Sequence, residues 1–218
     1  MEYHLLAPLA PEPRQRVLAA AHRRRFDRDA TVFWAGDPGD SLYFVASGHV
    51  AAQITTPRGD VATVRIFGPG EHFGELAIVS PGPRSATILA LTPAETLVIG
   101  HDDFARLRED PEIERVFVEA LATEIRRLAG ALADALYLTA SDHLWKRLAA
   151  VETLFAGASG ETELPLTQSM LATLAGVSRQ TANKFLDDVE SRGVIRRDAR
   201  GRVTVVDRAA LHTSAGSR

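Results

Sequence analysis

Cysteine is absent from this chain of 218 residues, and so are long apolar runs. Without cysteine the protein can form no disulfide, no cysteine-ligated zinc site and no cysteine-ligated iron–sulfur cluster. No stretch approaches the roughly 18 consecutive apolar residues of a membrane-spanning helix. The first residues show no basic start followed by an apolar run, so no signal peptide is predicted. We therefore expect a cytoplasmic protein without a membrane partner.

Charge is distributed unevenly, although the net charge is only −3. Acidic side chains outnumber basic ones in residues 1–160, and basic ones outnumber acidic ones in residues 161–218. An acidic bulk with a mildly basic tail suits a sensor joined to an anion-binding segment.

The first 110 residues have the pattern of an antiparallel β-structure. A helix is predicted over residues 11–22, and the triple arginine at residues 23–25 is interpreted as a solvated turn rather than a nucleic-acid patch. Short β-branched and aromatic runs, separated by turn signals such as residues 57–60, predict strands in a sandwich or barrel. The predicted strands are residues 31–34, 41–45, 49–54, 61–66, 86–90 and 96–99.

Residues 73–87 combine a glycine, a carboxylate, an arginine and hydroxyls between two predicted strands. Gly74 allows backbone N–H groups to approach an anion closely, and Arg84 can bind that anion with a planar fork of donors. Glu75 can accept hydrogen bonds from sugar hydroxyls. These residue types suit a small ligand that carries a phosphate and a ribose.

A long helix is predicted over residues 111–138. Its apolar residues recur with spacings of three and four, the heptad pattern of a two-helix seam, and this favours a parallel homodimer. The seam residues are Val118, Leu121, Ile125, Leu128, Leu132 and Ala135. The alternative is a helix packed on the core of its own domain, and Phe117 and Leu136 are expected to pack there. Residues 139–142 then form a hinge and cap a further helix over residues 143–155.

After a linker at residues 157–160, the C-terminal zone has the pattern of a winged helix–turn–helix. Thr167 is predicted to cap the first helix, Gly176 to form the turn and Ser178 to cap the second helix, which ends near residue 191. A β-hairpin wing is expected at residues 194–206, with a turn at residues 200–201. Polar side chains cluster where a recognition helix enters a major groove. The candidate DNA-binding residues are Thr167, Gln168, Ser178, Arg179, Gln180, Thr181, Asn183 and Lys184.

Three motifs in this order resemble the cyclic-AMP receptor and fumarate–nitrate regulator (Crp/Fnr) family of bacterial transcription factors. The motifs are residues 36–43 (GDPGDSLY), 73–87 (FGELA…PRSAT) and 176–181 (GVSRQT). The resemblance implies an α+β fold with an N-terminal cyclic-nucleotide-binding β-roll (jelly roll) at residues 1–110, a dimerisation helix at 111–138 and a winged helix–turn–helix at 139–218. It also implies a non-enzymatic homodimer that binds an inverted repeat in double-stranded DNA and contacts RNA polymerase.

The same resemblance implies a cyclic nucleotide effector, with cyclic AMP as the leading candidate, cyclic GMP as the second, and no metal. The ligand-binding residues would be Phe73, Gly74, Glu75, Leu76, Arg84, Ser85, Ala86 and Leu128. It further implies that Arg179 contacts a guanine, and that Lys184 takes the place of a second base-reading arginine.

Two departures from the family pattern affect these expectations. Cyclic-AMP-responsive relatives place a hydroxyl pair on the long helix against the adenine, where this chain has Leu128 and Ala129. The base contact is therefore predicted to be lost, while the phosphate site is intact. The family's common glutamate after the arginine is Gln180 here, which pairs best with adenine rather than with cytosine, so a different DNA site is expected.

Alternative readings remain at this stage. The β-roll could sense a different effector, or none. A haem would need an axial ligand, for which His22, His49, His72 and His101 are available without a favourable spacing. A metal-dependent jelly-roll enzyme would use His72 and Glu75, but a metal site needs about three protein ligands and no H-x-H motif accompanies this pair.

Overall fold

The structure is a computed structural model that describes residues 2–57, 59–157, 160–199 and 201–216. Four positions in the predicted turns and linker, Arg58, Ala158, Ser159 and Arg200, lie outside the described residues. The chain divides into two compact units, Met1–Ile54 with Arg65–Gly130 and Thr55–Val64 with Ala131–Arg218. The division at residues 110 and 138 stays a prediction.

The N-terminal part of the chain is a β-structure with a few short helices. A 3₁₀ turn at His4–Leu6 precedes the elements α1 (Pro11–Ala20), β1 (His22–Phe26), β2 (Thr31–Phe33), β3 (Ser41–Ser47), β4 (Val50–Thr55), β5 (Val61–Phe67), β6 (His72–Phe73), α2 (Glu75–Val79), β7 (Thr87–Ala90), β8 (Ala94–Gly100) and α3 (His101–Leu107). The strands form two four-stranded sheets with the orders β1-β8-β3-β6 and β2-β7-β4-β5. The pairs β1–β8, β8–β3, β3–β6, β2–β7 and β7–β4 are antiparallel.

The side chains of strand β3 belong to apolar clusters on both faces of its sheet. Successive side chains of a strand point to opposite faces. Tyr43 and Val45 join an apolar cluster that draws residues from both sheets. Leu42 and Phe44 join a second cluster, which contains residues of α1, α3 and the long helix. The predicted antiparallel β-structure is therefore confirmed, and of the sandwich and the barrel left open by the sequence it is the sandwich, with helices packed on one outer face.

The interpretation of the triple arginine as a turn is wrong, because these residues lie in β1. The predicted helix ends at Ala20, and β1 pairs along its whole length with β8. Arg23 and Arg25 both bind the carboxylate of Glu95 on β8. A run of three arginines has no apolar alternation, so its strand structure depends on a partner about 70 residues away.

Helix α4 spans Pro111–Tyr137, one residue shorter than predicted. Its first turns pack into the domain core through Ile113, Val116 and Phe117. Leu136, which was expected to pack there as well, is 67% exposed, and this prediction is wrong. Exposed apolar residues recur along the rest of the helix, namely Val118, Ile125, Leu128, Leu132 and Leu136.

The C-terminal part combines helices with a small sheet. Its elements are α5 (Ala140–Phe155), β9 (Thr162–Leu164), α6 (Gln168–Ala175), α7 (Arg179–Ser191), β10 (Ile195–Arg197), β11 (Val203–Val205) and α8 (Arg208–Gly216). The three strands form an antiparallel sheet in the order β10-β11-β9. Thr139 accepts a hydrogen bond from the Asp142 N–H, so α5 begins three residues earlier than predicted. Strand β9 and helix α8 were not predicted. No helix in the described ranges is both long and apolar enough to cross a membrane.

A fully buried carboxylate, Glu152 of α5, binds α8. It accepts hydrogen bonds from Thr162 at 2.7 Å and His212 at 2.9 Å, and it pairs with Arg208 at 2.6 Å. Burial alone would raise the pKa of Glu152, but the hydrogen bonds and the charge of Arg208 lower it overall. The carboxylate therefore stabilises the fold above about pH 4.5, and its contribution is lost as the pH falls.

Glu152→Gln is expected to lower the free energy of unfolding by about 1–3 kcal/mol at pH 7, because the buried Thr162 and the partly exposed Arg208 and His212 lose a charged acceptor. The control Glu163→Gln removes a mostly exposed partner of Arg202 and should change the free energy of unfolding by less than about 0.5 kcal/mol. Urea unfolding of both variants, followed by the fluorescence of the buried Trp145, measures the effect. The free energies of unfolding of wild type and Glu152→Gln should approach each other below pH 4.5. A difference that stays constant there would contradict a negative charge on Glu152.

Candidate functional sites

Two loops hold Arg84 in place. The Arg84 N–H donates to the Asp37 carbonyl oxygen at 2.8 Å, and the Gly36 N–H donates to the Arg84 carbonyl oxygen at 2.9 Å. Gly39 is required beside them, because a Cβ there would lie 2.0 Å from the Cβ of Ala77. Gly74 has a φ of 86°, and a Cβ there would lie 2.9 Å from the Arg84 Nη1. The glycine motif at residues 36–39 therefore supports the loop that carries Arg84.

The guanidinium of Arg84 is buried, and the residue is 5% exposed. Nη1 donates to the carbonyl oxygens of Ser41 at 2.8 Å and Gly74 at 3.2 Å, and Nη2 donates to the Ser41 Oγ at 2.8 Å. Asp40 Oδ1 lies 3.6 Å from Nη2, and the guanidinium carbon lies 4.2 Å from the centre of the Phe33 ring. Nε is buried without a partner among the described residues. Burial lowers the pKa of Arg84, so its charge is only partly compensated.

The other predicted ligand residues lie in different surroundings. Phe73 is buried and stacks on Tyr43 with ring centres 4.9 Å apart. Ser85 and Leu76 are exposed, while Ala86 is half-buried. Phe73, Gly74 and Arg84 thus come together, whereas Leu128 is 52% exposed on α4. The role of these residues in binding stays a prediction.

A cavity of about 310 Å³ adjoins the glycine turn through Glu75. Its walls come from the N-terminal 3₁₀ turn, from β5 and β6 and from α4. Burial raises the pKa of Glu75, since the carboxylate is removed from water. Burial, followed by the charge of Arg65, lowers the pKa of His72 to about 4, so this imidazole is neutral at pH 7.

An ion-pair network crosses one side of the cavity. Arg65 of β5 donates to Glu71 at 2.8 Å and to Glu124 of α4 at 2.7 Å. Arg127 binds both carboxylate oxygens of Glu124 at 2.7 and 2.9 Å. The pKa of Glu124 is lowered, mainly by the hydrogen bonds from Arg127. This network was not predicted from the sequence, because its members lie on elements far apart in the chain.

The helix–turn–helix forms at the predicted residues. Thr167 Oγ1 accepts a hydrogen bond from the Met170 N–H, and Ser178 Oγ accepts one from the Thr181 N–H. Gly176 adopts the left-handed conformation with a φ of 66°, which ends α6 and starts the turn. Ala182, Phe185, Leu186 and Val189 bury one face of α7. Phe185 packs edge-to-face on Trp145, with ring centres 5.2 Å apart.

The opposite face of α7 carries most of the predicted DNA-binding side chains. Ser178, Arg179, Gln180 and Lys184 are exposed, and Thr167, before α6, is exposed too. Gln168 and Thr181 are half-buried. Asn183 was predicted to be exposed, but it is half-buried, and its Oδ1 is buried without a partner among the described residues. Asn183 lies three residues before the fully buried Leu186, and side chains three residues apart lie on the same side of a helix.

Arginines near the wing are paired with carboxylates of the protein. Arg197 binds Asp187 and Glu190, and Arg196 binds Glu161 at 3.0 Å. On α7, Arg179 instead bonds the neutral Ser169 hydroxyl. Lys184 has no ion-pair partner in the part of the chain that the structure describes. The charges left for a polyanion are therefore concentrated on α7 at Arg179 and Lys184.

Comparisons with known proteins also separate a ligand-binding part of the chain from a helix–turn–helix part. Residues 23–110 match the family model of a cyclic nucleotide-binding domain, and residues 126–213 match that of a Crp-like helix-turn-helix domain. The chain is 35% identical over 175 residues to the CRP-like cAMP-activated global transcriptional regulator of Mycobacterium tuberculosis, covering 78% of each chain. The chain belongs to the Crp/Fnr family. It is also 33% identical over 191 residues to the cyclic AMP receptor protein of Thermus thermophilus, covering 86% of each chain.

The solved structures place this Crp/Fnr regulator in the same fold. The Thermus thermophilus catabolite activator protein matches with a TM-score of 0.57 and 30% identity over 98% of each chain. The predicted α+β fold and the predicted class of transcription regulator are therefore confirmed. The Mycobacterium tuberculosis relative is described as a transcriptional regulator. No group of three or more His, Asp or Glu in the described ranges is arranged to hold a metal ion.

Proposed function

We propose that this Crp/Fnr regulator is a homodimer that binds an inverted-repeat operator through α7 and responds to a cyclic nucleotide in the β-roll. The observation that supports the ligand class best is the buried, incompletely partnered guanidinium of Arg84 beside Gly74. A cation that has lost its hydration on burial is stabilised by a bound anion, and a cyclic phosphate is a small anion of this kind. The relatives named above are described as cAMP-activated or as a cyclic AMP receptor.

The DNA-binding part of the proposal rests on the exposed end of α7. Arg179 can donate two hydrogen bonds to a guanine edge, and Gln180 can both donate to and accept from adenine. Lys184 supplies a charge near the phosphates. In a twofold-symmetric dimer the two helices read half-sites about 34–36 Å apart, one turn of DNA. We further propose a cytoplasmic location and contact with RNA polymerase.

Arg179→Ala is expected to weaken operator binding by about 1–3 kcal/mol and to relax the preference for one guanine in each half-site. Gln180→Glu should shift the preference at the adjacent position towards cytosine, because a carboxylate accepts from its amino group. Selection from a random DNA library, with and without cyclic nucleotide, tests both changes. The matched control Arg192→Ala removes an arginine paired with Asp188 near the end of α7, and it should leave the selected site unchanged.

If both α7 variants select the wild-type sequence, α7 does not read the bases. If wild-type protein selects one operator with equal affinity whether or not cyclic AMP or cyclic GMP is present, the regulator acts without this effector, and the alternative of a different effector or none is correct.

A further inference from the structure

The cavity beside the glycine turn suggests how the base of a nucleotide is recognised. Glu75 belongs both to the predicted ligand residues and to the cavity wall. The base of a nucleotide whose ribose is bound by Glu75 can therefore lie in this cavity. The volume of about 310 Å³ lies within the range of small-molecule pockets. This inference rests on the proposed function, because it concerns the base of a nucleotide whose phosphate is bound near Arg84.

Arg65 offers hydrogen-bond donors to this cavity. A guanidinium has five N–H groups and no acceptor. The contacts of Arg65 are one bond to Glu71, one to Glu124 and the face of the Phe67 ring, 4.6 Å from the guanidinium carbon. Further N–H groups of Arg65 therefore remain for a ligand. The stacking on Phe67 and the two carboxylates fix the plane of the guanidinium, which is what bidentate recognition requires.

Glu124, the nearest carboxylate, has little accepting capacity left. Both of its oxygens bind Arg127, and one of them also binds Arg65. The network thus presents a surplus of donors at the β5 side of the cavity.

We propose that Arg65 reads the base of the bound nucleotide and makes cyclic GMP a better ligand than cyclic AMP. Guanine presents two neighbouring acceptors, O6 and N7, which match the donor fork of an arginine. Adenine has an amino group in place of O6, so a donor of the base would face a donor of Arg65. Cyclic AMP would then lose one bond and leave an N–H of Arg65 unpaired.

Calorimetric titration of the full chain with cyclic GMP and cyclic AMP tests the proposal. Wild-type protein is expected to bind cyclic GMP at least about tenfold more tightly. In Arg65→Gln this ratio should fall to one or reverse, because glutamine pairs with adenine N6 and N7. The control Arg106→Gln changes an exposed arginine that pairs with Asp103 and does not line the cavity, so it should keep the wild-type ratio.

A measurement on wild-type protein alone guards against a variant that fails to fold. The 7-deaza analogue of cyclic GMP lacks the N7 acceptor and should bind more weakly than cyclic GMP. The role of Arg65 would be overturned by equal affinities for cyclic GMP and its 7-deaza analogue, or by tighter binding of cyclic AMP than of cyclic GMP. An unchanged ratio of the two affinities in a folded Arg65→Gln variant would overturn it as well. Each of these results would leave the nucleotide site in place. Failure of wild-type protein to bind either nucleotide at millimolar concentration would instead overturn the proposed function.

Discussion

Arg84→Leu is expected to abolish the binding of both cyclic AMP and cyclic GMP. Arg84 is the buried cation beside Gly74, and no other arginine bonds the glycine turn in the described ranges. Charge-assisted bidentate contacts to a phosphate are about twice as strong as neutral hydrogen bonds. Losing two of them at about 1.5–3 kcal/mol each would weaken binding at least about a hundredfold. Isothermal titration calorimetry of the purified protein measures the loss.

Two further variants separate ligand binding from folding. Arg84→Leu also removes the hydrogen bonds to the Ser41 and Gly74 carbonyl oxygens, so its thermal unfolding must be compared with wild type. Arg84→Lys keeps the charge but cannot reproduce the planar fork, and it should bind the nucleotide more weakly than wild type while remaining folded. Arg106→Leu, at an exposed arginine paired with Asp103, serves as the neutral control. Wild-type affinity in a folded Arg84→Leu variant would show that the phosphate is bound elsewhere.

Changing Ile125 and Leu132 together to Asp is expected to convert the regulator into monomers that bind the operator at least about a hundredfold more weakly. Both side chains are more than half exposed on α4, and both belong to the predicted heptad seam. Soluble monomers rarely expose a contiguous apolar stripe of this kind. A partner helix would bury it, and carboxylates placed there would have to be desolvated without a partner.

Sedimentation velocity at micromolar concentration and operator titration measure these two effects. The matched control introduces two Asp residues away from the seam, at Gly130 and Ala133, which are exposed on α4. A Cβ at Gly130 meets no atom within 4 Å, so that substitution is not obstructed. Wild-type protein that sediments as a monomer, or a double seam variant that remains a dimer, would refute the seam.

The features determined by the sequence alone are those encoded within a few neighbouring residues. The caps at Thr167 and Ser178 and the turn at Gly176 were predicted correctly, because a cap joins groups three residues apart and a glycine by itself favours a turn. Most strands of the β-roll followed from runs of β-branched and aromatic residues between turn signals, and the length of α4 followed from its heptad pattern. The motifs at residues 36–43, 73–87 and 176–181 were sufficient to indicate the family.

The tertiary structure alone decided which distant groups meet. Arg84 is bound by Ser41 and Asp40, and Arg65 binds Glu124 at one side of the cavity, although nothing near either arginine in the sequence indicates these partners. For the same reason the arginines of β1 form a strand that their own residues do not predict. Pairing across a long chain segment depends on how elements pack, whereas caps, turns and periodicity depend on local backbone geometry. The proposed recognition of a base by Arg65 therefore depends on the tertiary structure, since the motif at residues 73–87 was interpreted only as a site for a phosphate and a ribose.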